Sequence, residues 1–285
     1  METIIENIVV PVDFSPESLN GLRMALLFSR TTRTKIHLLY VLQKSIEYDS
    51  PSEDEKLRAE LKFKQLISEH QNLLGTGSEI VYLISRGRVY NEVVSLADKL
   101  EDCIISASTH GASGFQELFI GSNAFRIIST TDKPVITMRK NCCPDSIKTI
   151  VMPIDLSVDT RQKVPVTTEI ANLFGATIHV VGIQTSRSKI NQKKIRAYVS
   201  QAAAFIESKV KCESNEVFGD NISDLLLNYA ATVKADMISI TTEKSSGLSL
   251  IMGNTAHQVL NKAEIPVLCL PPRQITKAGS FSSMG

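Results

Sequence analysis

The sequence has almost no net charge. Its 31 basic and 30 acidic residues leave a formal charge of +1. Binding to nucleic acid or to an anionic membrane surface depends on a clear excess of positive charge. We therefore expect neither of these two as a partner.

Long hydrophobic runs are also lacking. Apolar stretches such as residues 4–12 and 265–270 are far shorter than the ~20 residues that span a bilayer. The N-terminus carries Glu2 and Glu6, whereas a secretory signal starts with basic residues and has a longer apolar region. We expect no transmembrane segment, and we expect the protein to be cytoplasmic.

Patterns that hold metals or perform phosphoryl transfer are missing as well. The five cysteines show no metal-ligand spacing and the five histidines are scattered singly, so we assign no metal-ligating residue. The chain lacks the G-x-x-x-x-G-K-[S/T] loop, which places a lysine on nucleotide phosphates. We assign no catalytic residue and expect at most slow ATP hydrolysis.

An internal repeat is the main signal that the sequence does contain. Residues 8–15 (IVVPVDFS) match residues 150–157 (IVMPIDLS), and residues 133–136 (KPVI) match residues 265–268 (IPVL). A chain of 285 residues suits two domains of ~100–200 residues each. The predicted parts are a first domain 1–140, a linker 141–146, a second domain 147–273 and a disordered tail 274–285.

Both halves alternate short apolar runs with longer helical patterns. Strands buried on both faces read as Val- and Ile-rich runs. The predicted strands are 7–12, 35–42, 79–85, 103–107 and 134–138, then 149–154, 177–183, 213–218, 237–240 and 267–270. The predicted helices include 15–30 and 52–74, then 157–174, 188–210, 222–233 and 254–262. This order predicts an α/β fold of two tandem doubly wound domains, each with a five-stranded, mainly parallel sheet.

Polar residues that follow the predicted strands are the first candidates for a site. In open α/β sheets, ligands bind beyond the carboxyl ends of the strands. Asp13 follows the first strand, and Asp155 follows the corresponding strand of the second half. The sequence leaves two roles open for Asp13, because an aspartate here either faces a ligand or caps the next helix.

A glycine-containing loop follows the fourth strand. It begins Ser108-Thr109-His110-Gly111, continues for nine residues, and ends Gly121-Ser122-Asn123 at a predicted helix. Glycines let backbone N–H groups approach an anion, and a helix N-terminus supplies N–H donors and partial positive charge. The loop is therefore a candidate phosphate site.

These residues resemble the universal stress protein (UspA) family. Nucleotide-binding members carry G-x-x-G-x9-G-[S/T] at this point and an Asp after the first strand. Here Gly111, Gly121, Ser122 and Asp13 match that pattern, while Ser108 replaces the first glycine. The resemblance spans nearly the whole chain twice, and it implies a Rossmann-like, adenine nucleotide alpha hydrolase-like fold.

The resemblance also implies a ligand and its contacts. We expect one adenine nucleotide per chain, ATP or else AMP or ADP, bound with Mg²⁺ or Mn²⁺ in the first half. The residues expected around the base and ribose are Pro11, Val12, Asp13 and Val41. The residues expected around the phosphates are Ser108, His110, Gly111, Gly121, Ser122 and Asn123.

The second half departs from this motif. Ten residues before Gly253 stands Glu243 rather than glycine, and Asn254 replaces the hydroxyl residue. A fixed carboxylate repels a triphosphate. We therefore expect the second half to have lost ATP binding.

Two classes of function remain. The leading one is a nucleotide-binding regulatory or stress-response protein, and the alternative is an interaction scaffold that binds no nucleotide. Family members commonly dimerise through the final strand, so the two final strands of this chain predict an intramolecular pseudo-dimer of its domains. A larger homo-oligomer is a further possibility.

Overall fold

The computed structural model describes residues 5–42, 53–109, 120–139, 142–157, 159–242 and 253–272. The first half contains β1 (Asn7–Pro11), α1 (Leu19–Ser29), β2 (Lys35–Leu42), α2 (Glu53–His70), β3 (Glu79–Arg86), α3 (Val89–Asp98), β4 (Cys103–Ser108), α4 (Ser122–Thr130) and β5 (Val135–Met138). A short 3-10 turn, Gln71–Leu73, follows α2.

The second half repeats this order. It contains β6 (Thr149–Ile154), α5 (Asp159–Gln162), α6 (Val164–Phe174), β7 (Thr177–Gln184), α7 (Lys189–Glu207), β8 (Cys212–Phe218), α8 (Ile222–Thr232), β9 (Met237–Thr241), α9 (Asn254–Lys262) and β10 (Val267–Leu270). The predicted α/β fold of two tandem doubly wound units is confirmed.

The described strands form one sheet of ten, in the order β3-β2-β1-β4-β5-β10-β9-β6-β7-β8. Within each half the neighbouring strands are parallel, as crossover connections through helices require. The two halves meet at β5 and β10, which pair antiparallel with Ile136 opposite Leu268. The sheet of one half therefore continues directly into the sheet of the other.

Apolar side chains cover both faces of this sheet. The central strands are almost wholly buried, which is why they appear in the sequence as continuous apolar runs. On one face the core continues from one half to the other, and the rings of Phe28 in α1 and Phe174 in α6 meet edge to face with centroids 4.8 Å apart. In the described ranges, no helix combines the length and the apolar character that a membrane crossing requires.

Three helices differ most from the prediction. The first begins at Leu19 rather than Ser15, because Ser15 is engaged in a turn with Asp13. The helix predicted over 157–174 is interrupted at Lys163, which separates α5 from α6. The helix predicted over 52–74 ends at His70 and continues as the 3-10 turn. The predicted tail 274–285 lies outside the described residues.

Candidate functional site

A cavity of about 520 Å³ lies at the carboxyl ends of β1 and β4. From β1 the chain adds β2 and β3 on one side, and it then crosses back to add β4 and β5 on the other side of β1. Open α/β sheets bind ligands at such a switch in strand order. The volume of the cavity falls in the range of about 300–1,000 Å³ that is usual for small-molecule sites. The residues lining it are Pro11, Val12, Asp13, Ser18, Leu39, Tyr40, Val41, Glu55, Val89, Ala107, Ser108, Thr109, Gly121, Ser122, Asn123, Ala124 and Ile127.

One wall of the cavity is apolar. Val12, Leu39, Val41 and Ala107 come from the ends of three neighbouring strands and are buried, and Val89 at the start of α3 adds a further face. These side chains offer dispersion contacts and no hydrogen-bonding groups. The wall therefore suits a flat, weakly polar group such as a nucleobase.

Asp13 lies at the mouth of the cavity and is exposed to solvent. Its Oδ1 accepts hydrogen bonds from the Ser15 backbone N–H at 2.9 Å and the Ser15 hydroxyl at 2.5 Å. The Asp13 backbone N–H donates to the Ser18 hydroxyl at 3.3 Å. These contacts build a tight turn after β1, so they fix the direction in which the carboxylate points.

The opposite wall is the N-terminus of α4. The first helical hydrogen bond runs from Phe125 N–H to Gly121 O at 3.0 Å. The N–H groups of Ser122, Asn123 and Ala124 therefore have no acceptor within the helix, and these residues line the cavity. Such a helix end attracts an anionic group through its N–H donors and its dipole.

Gly121 lies so close to the backbone of Thr109 that no side chain fits at this position. Its N–H donates to Thr109 O at 2.7 Å, and a Cβ at this position would lie 2.6 Å from the same oxygen. The φ of Gly121 is −61°, an ordinary value for any residue. The glycine therefore serves to bring the start of α4 against the end of β4, which closes the loop between them.

Ser108 occupies the position where the resemblance expects a glycine. Its hydroxyl donates to Met138 O, the last residue of β5, at 3.4 Å. The side chain is half-buried and lines the cavity. A serine is thus accommodated at the end of β4 alongside an open cavity.

The structure brings together most of the residues that the sequence nominated. Those lining the cavity are Pro11, Val12, Asp13, Val41, Ser108, Gly121, Ser122 and Asn123. His110 and Gly111 lie outside the described residues, so their assignment stays a prediction.

Sequence reasoning missed Tyr40 and Glu55, which also line the cavity. Burial raises the pKa of the Tyr40 phenol, and the nearby carboxylates of Glu55 and Asp13 raise it further. The ring of Tyr40 packs on Phe14, with centroids 5.0 Å apart. Tyr40 lies within the predicted second strand, 35–42, next to Val41, so its position could have indicated it. No local pattern links Glu55 to this edge of the sheet.

In the second half, a buried lysine lies near the equivalent aspartate, Asp155. Asp155 accepts from Ser157 N–H at 2.7 Å, as Asp13 does from Ser15. Lys163, only 1% exposed, donates from Nζ to Thr160 O at 2.6 Å. Burial lowers the pKa of Lys163 to about 7, and the charge of Asp155 opposes this shift. The Asp155 carboxylate therefore has an internal cationic neighbour.

The two glycine loops also differ in length. Thr109 N–H donates to Met138 O at 2.8 Å, and Thr242 N–H donates to Leu270 O at 2.9 Å, so the two threonines are equivalent. From there the first loop runs over 110–120 and the second over 243–252, one residue shorter. Counted from the strand, Glu243 corresponds to His110 rather than Gly111. Glu243 itself lies outside the described residues.

In the part of the chain that the structure describes, no group of three His, Cys, Asp or Glu side chains is placed to hold a metal ion. The five cysteines form no disulfide, and burial raises the pKa of Cys143 to about 11 and also raises that of Cys142. The adjacent pair is therefore poorly suited to thiolate chemistry.

Comparisons with known proteins agree with this architecture. Universal stress protein MJ0531 of Methanocaldococcus jannaschii is 26% identical over 150 residues, which cover 49% of this chain and 85% of that protein. The crystal structure of a universal stress protein from Archaeoglobus fulgidus DSM 4304 superposes with a TM-score of 0.76 at 15% identity, covering 95% of this chain and 98% of that one. The crystal structure of a protein from Pseudomonas aeruginosa UCBPP-PA14 superposes with a TM-score of 0.69 at 20% identity, and 94% of each chain is covered.

At these low identities the solved structures show a shared fold and no more. The family relationship is shown by the sequence. The model of the Universal stress protein family matches residues 5–139 and again residues 146–271. The two matches correspond to the two halves of the sheet, so the repeat in the sequence and the repeat in the structure have one explanation. The chain belongs to the universal stress protein family.

Proposed function

We propose that this chain is a nucleotide-binding regulatory protein of the stress response, which binds one adenine nucleotide in the cavity of its first half. The observation that carries the proposal is the pairing of two unlike walls across one cavity of about 520 Å³. One wall is apolar, and the other presents the N–H groups that begin α4. A nucleotide has the same two parts, a flat base and an anionic phosphate chain.

Each wall has a defined part in this proposal. The base lies against Val41 and Val89, the Asp13 carboxylate accepts from the ribose hydroxyls, and the phosphates approach Ser122 and Asn123. Asp13 is suited to the role because its turn is already fixed by Ser15, so little ordering accompanies binding. His110 and Gly111 belong to the same phosphate side in the proposal.

A divalent cation fits the charge of the cavity. The described lining residues include the carboxylates Asp13 and Glu55 but no lysine or arginine. A triphosphate alone would meet repulsion from these carboxylates with only N–H dipoles to offset it. Mg²⁺ or Mn²⁺ carried by the phosphates would neutralise that charge.

The second half is proposed to bind no nucleotide. The buried Lys163 lies close enough to Asp155 for the two charges to attract, and its Nζ donates to Thr160 O. Glu243 adds a carboxylate to the shorter second loop. Both features distinguish this half from the first, in which Asp13 faces an open cavity.

The domain organisation forms part of the same proposal. We assign domains to residues 1–140 and 147–273, joined by the linker 141–146, and treat them as an intramolecular pseudo-dimer. The antiparallel pairing of β5 with β10 and the contact between Phe28 and Phe174 support that arrangement. A cytoplasmic location and a larger homo-oligomer remain predictions from the sequence.

Native mass spectrometry of the freshly purified full chain tests this function. The expected spectrum shows one adenine nucleotide retained per chain, or one bound after addition of ATP with Mg²⁺. A chain that stays unliganded under both conditions contradicts the proposal and favours the interaction scaffold.

A further inference from the structure

The end of the first half's glycine loop is held by a side chain of the second half. The Ile120 backbone N–H donates to Oδ1 of Asn261 in α9 at 2.6 Å. Ile120 directly precedes Gly121, and it is 8% exposed. The hydrogen bond is part-buried, so losing the partner would leave the N–H of a buried residue unsatisfied.

Asn261 is itself fixed from two sides. Its Nδ2 lies 3.2 Å from Nδ1 of His257, one turn earlier in α9. Its backbone carbonyl accepts from the Arg139 guanidinium at 2.7 Å, just after β5. Because Nδ2 is directed to His257, Oδ1 is left to face Ile120. Arg139 also places a positive charge at the C-terminus of α9, where the helix dipole favours it.

This contact determines where the chain enters α4. The N–H of Ile120 is bound to Asn261, and the next N–H, that of Gly121, is bound to Thr109 O at 2.7 Å. With two successive N–H groups anchored, the following residues Ser122 and Asn123 begin the helix at the cavity wall. One anchor comes from the first half and the other from the second.

The equivalent position in the first half carries a different residue. Asn261 corresponds to Ser129 when α4 and α9 are aligned on Gly121 and Gly253. Serine has a shorter side chain, and the Ser129 hydroxyl donates to Phe125 O in its own helix at 2.8 Å. Of the two equivalent positions, only the one on α9, which faces the loop of the first half, carries an asparagine.

We propose that Asn261 is a positioning residue, through which the second half holds the phosphate-side wall of the first half in its binding conformation. This inference rests on the proposed nucleotide function and names how that site is supported. It also gives the second half a role that needs no nucleotide of its own. Because the wall is ordered before binding, less conformational entropy is lost when the ligand binds.

The test uses the full chain with Asn261→Ser, which copies the residue of the first half. It measures hydrogen exchange of the Ile120 amide without ligand, affinity for Mg²⁺-ATP by calorimetry, and the global unfolding midpoint. Asn261→Ser should remove the protection of the Ile120 amide and weaken affinity by about three- to tenfold, as for the loss of one buried hydrogen bond. The unfolding midpoint should fall by only a few degrees, because a single hydrogen bond is lost from a chain of this size.

Two further variants separate positioning from a general structural effect. Asn261→Asp keeps an acceptor for Ile120 and should retain the amide protection that Asn261→Ser loses. Ser129→Ala removes the equivalent polar group from α4 and should change neither amide protection nor affinity. Protection at Ile120 that survives Asn261→Ser, or wild-type affinity once that protection is lost, overturns the positioning role alone. A wild-type chain that binds no Mg²⁺-ATP overturns the proposed function, and the role of Asn261 in binding with it.

Discussion

Lys163 occupies, in the second half, the position that Gly21 occupies in the first. Each lies three residues beyond a hydroxyl residue, Ser18 or Thr160, whose oxygen accepts from the N–H of the aspartate after the first strand. A Cβ at Gly21 would lie 2.7 Å from Ser106 O. The second half accommodates a long side chain there because its helix is interrupted at Lys163, between α5 and α6.

Replacing Lys163 by methionine should stabilise the protein near neutral pH. A buried ammonium loses its hydration, and an apolar side chain of similar length does not. The free energy of unfolding should rise, because the desolvation of the Lys163 ammonium outweighs its attraction to Asp155. Chemical denaturation of the two proteins in the same buffer measures the difference.

The same variant should change how stability depends on pH. The pKa of Lys163 is about 7 in the folded protein, below its usual 10.5, so the unfolded chain binds more protons between those values. The stability of the wild type should therefore rise with pH across this window, and Lys163→Met should lose that contribution. An equal pH slope in the two proteins would show that Lys163 is not buried as described.

Substitution of Gly121 by alanine should damage the cavity. The new Cβ would meet Thr109 O at 2.6 Å, so the start of α4 must move away from β4. We expect a loss of about 1–3 kcal/mol in stability, typical of overpacking, and weaker binding of Mg²⁺-ATP by calorimetry. Gly21→Ala is the matched control, because its Cβ also meets a carbonyl, that of Ser106, but away from the cavity lining. Equal losses of affinity in the two variants would argue against a specific role for Gly121.

Removal of divalent metal should weaken the binding of ATP more than that of adenosine. The carboxylates of Asp13 and Glu55 line the cavity, and they repel phosphate when no cation is present. A repulsion of about 1.4 kcal/mol already lowers affinity tenfold. Titrations with and without a chelator measure both ligands. A chelator that weakens adenosine and ATP equally would contradict a metal on the phosphates.

Cleavage of the linker should leave the two halves associated. A protease site inserted after the exposed Asp145 cuts the connection, while the β5–β10 pairing and the contact of Phe28 with Phe174 persist. Native mass spectrometry of the cut protein should show one copy of each half in a single particle. Separated halves, or pairs of identical halves, would contradict the pseudo-dimer.

The strands and the site differ in how far the sequence predicts them. Buried parallel strands leave a continuous apolar signal, and the strand Lys35–Leu42 was predicted with its observed bounds. The turn at Asp13 was less visible, because Ser15 reads equally well as a helix cap until its bonds to the carboxylate are seen. Local pattern thus located the cavity edge but not the helix start.

Contacts between segments that are distant along the chain could not be predicted from the sequence. Glu55 reaches the cavity only through the placement of α2, and Asn261 reaches Ile120 only because β10 pairs with β5. Lys163 reads as an ordinary polar position within an apolar helix until its burial is known. Each of these depends on tertiary packing, for which no short motif exists.

The central claim, one nucleotide bound beside Asp13 in the first half, is tested most directly by calorimetric titration of Mg²⁺-ATP into a matched pair of variants. Asp13→Ala and Asp155→Ala each remove a carboxylate that holds the same kind of turn, through Ser15 or Ser157. Asp155→Ala should also lower stability, because Lys163 loses its neighbouring carboxylate, so both are titrated well below their unfolding temperatures.

The wild type should bind with a stoichiometry near one. Asp13→Ala should weaken affinity by about ten- to a hundredfold, the usual effect of losing a hydrogen bond to a charged group, and Asp155→Ala should leave it unchanged. Two equivalent sites in the wild type, or equal losses from the two substitutions, would contradict the account.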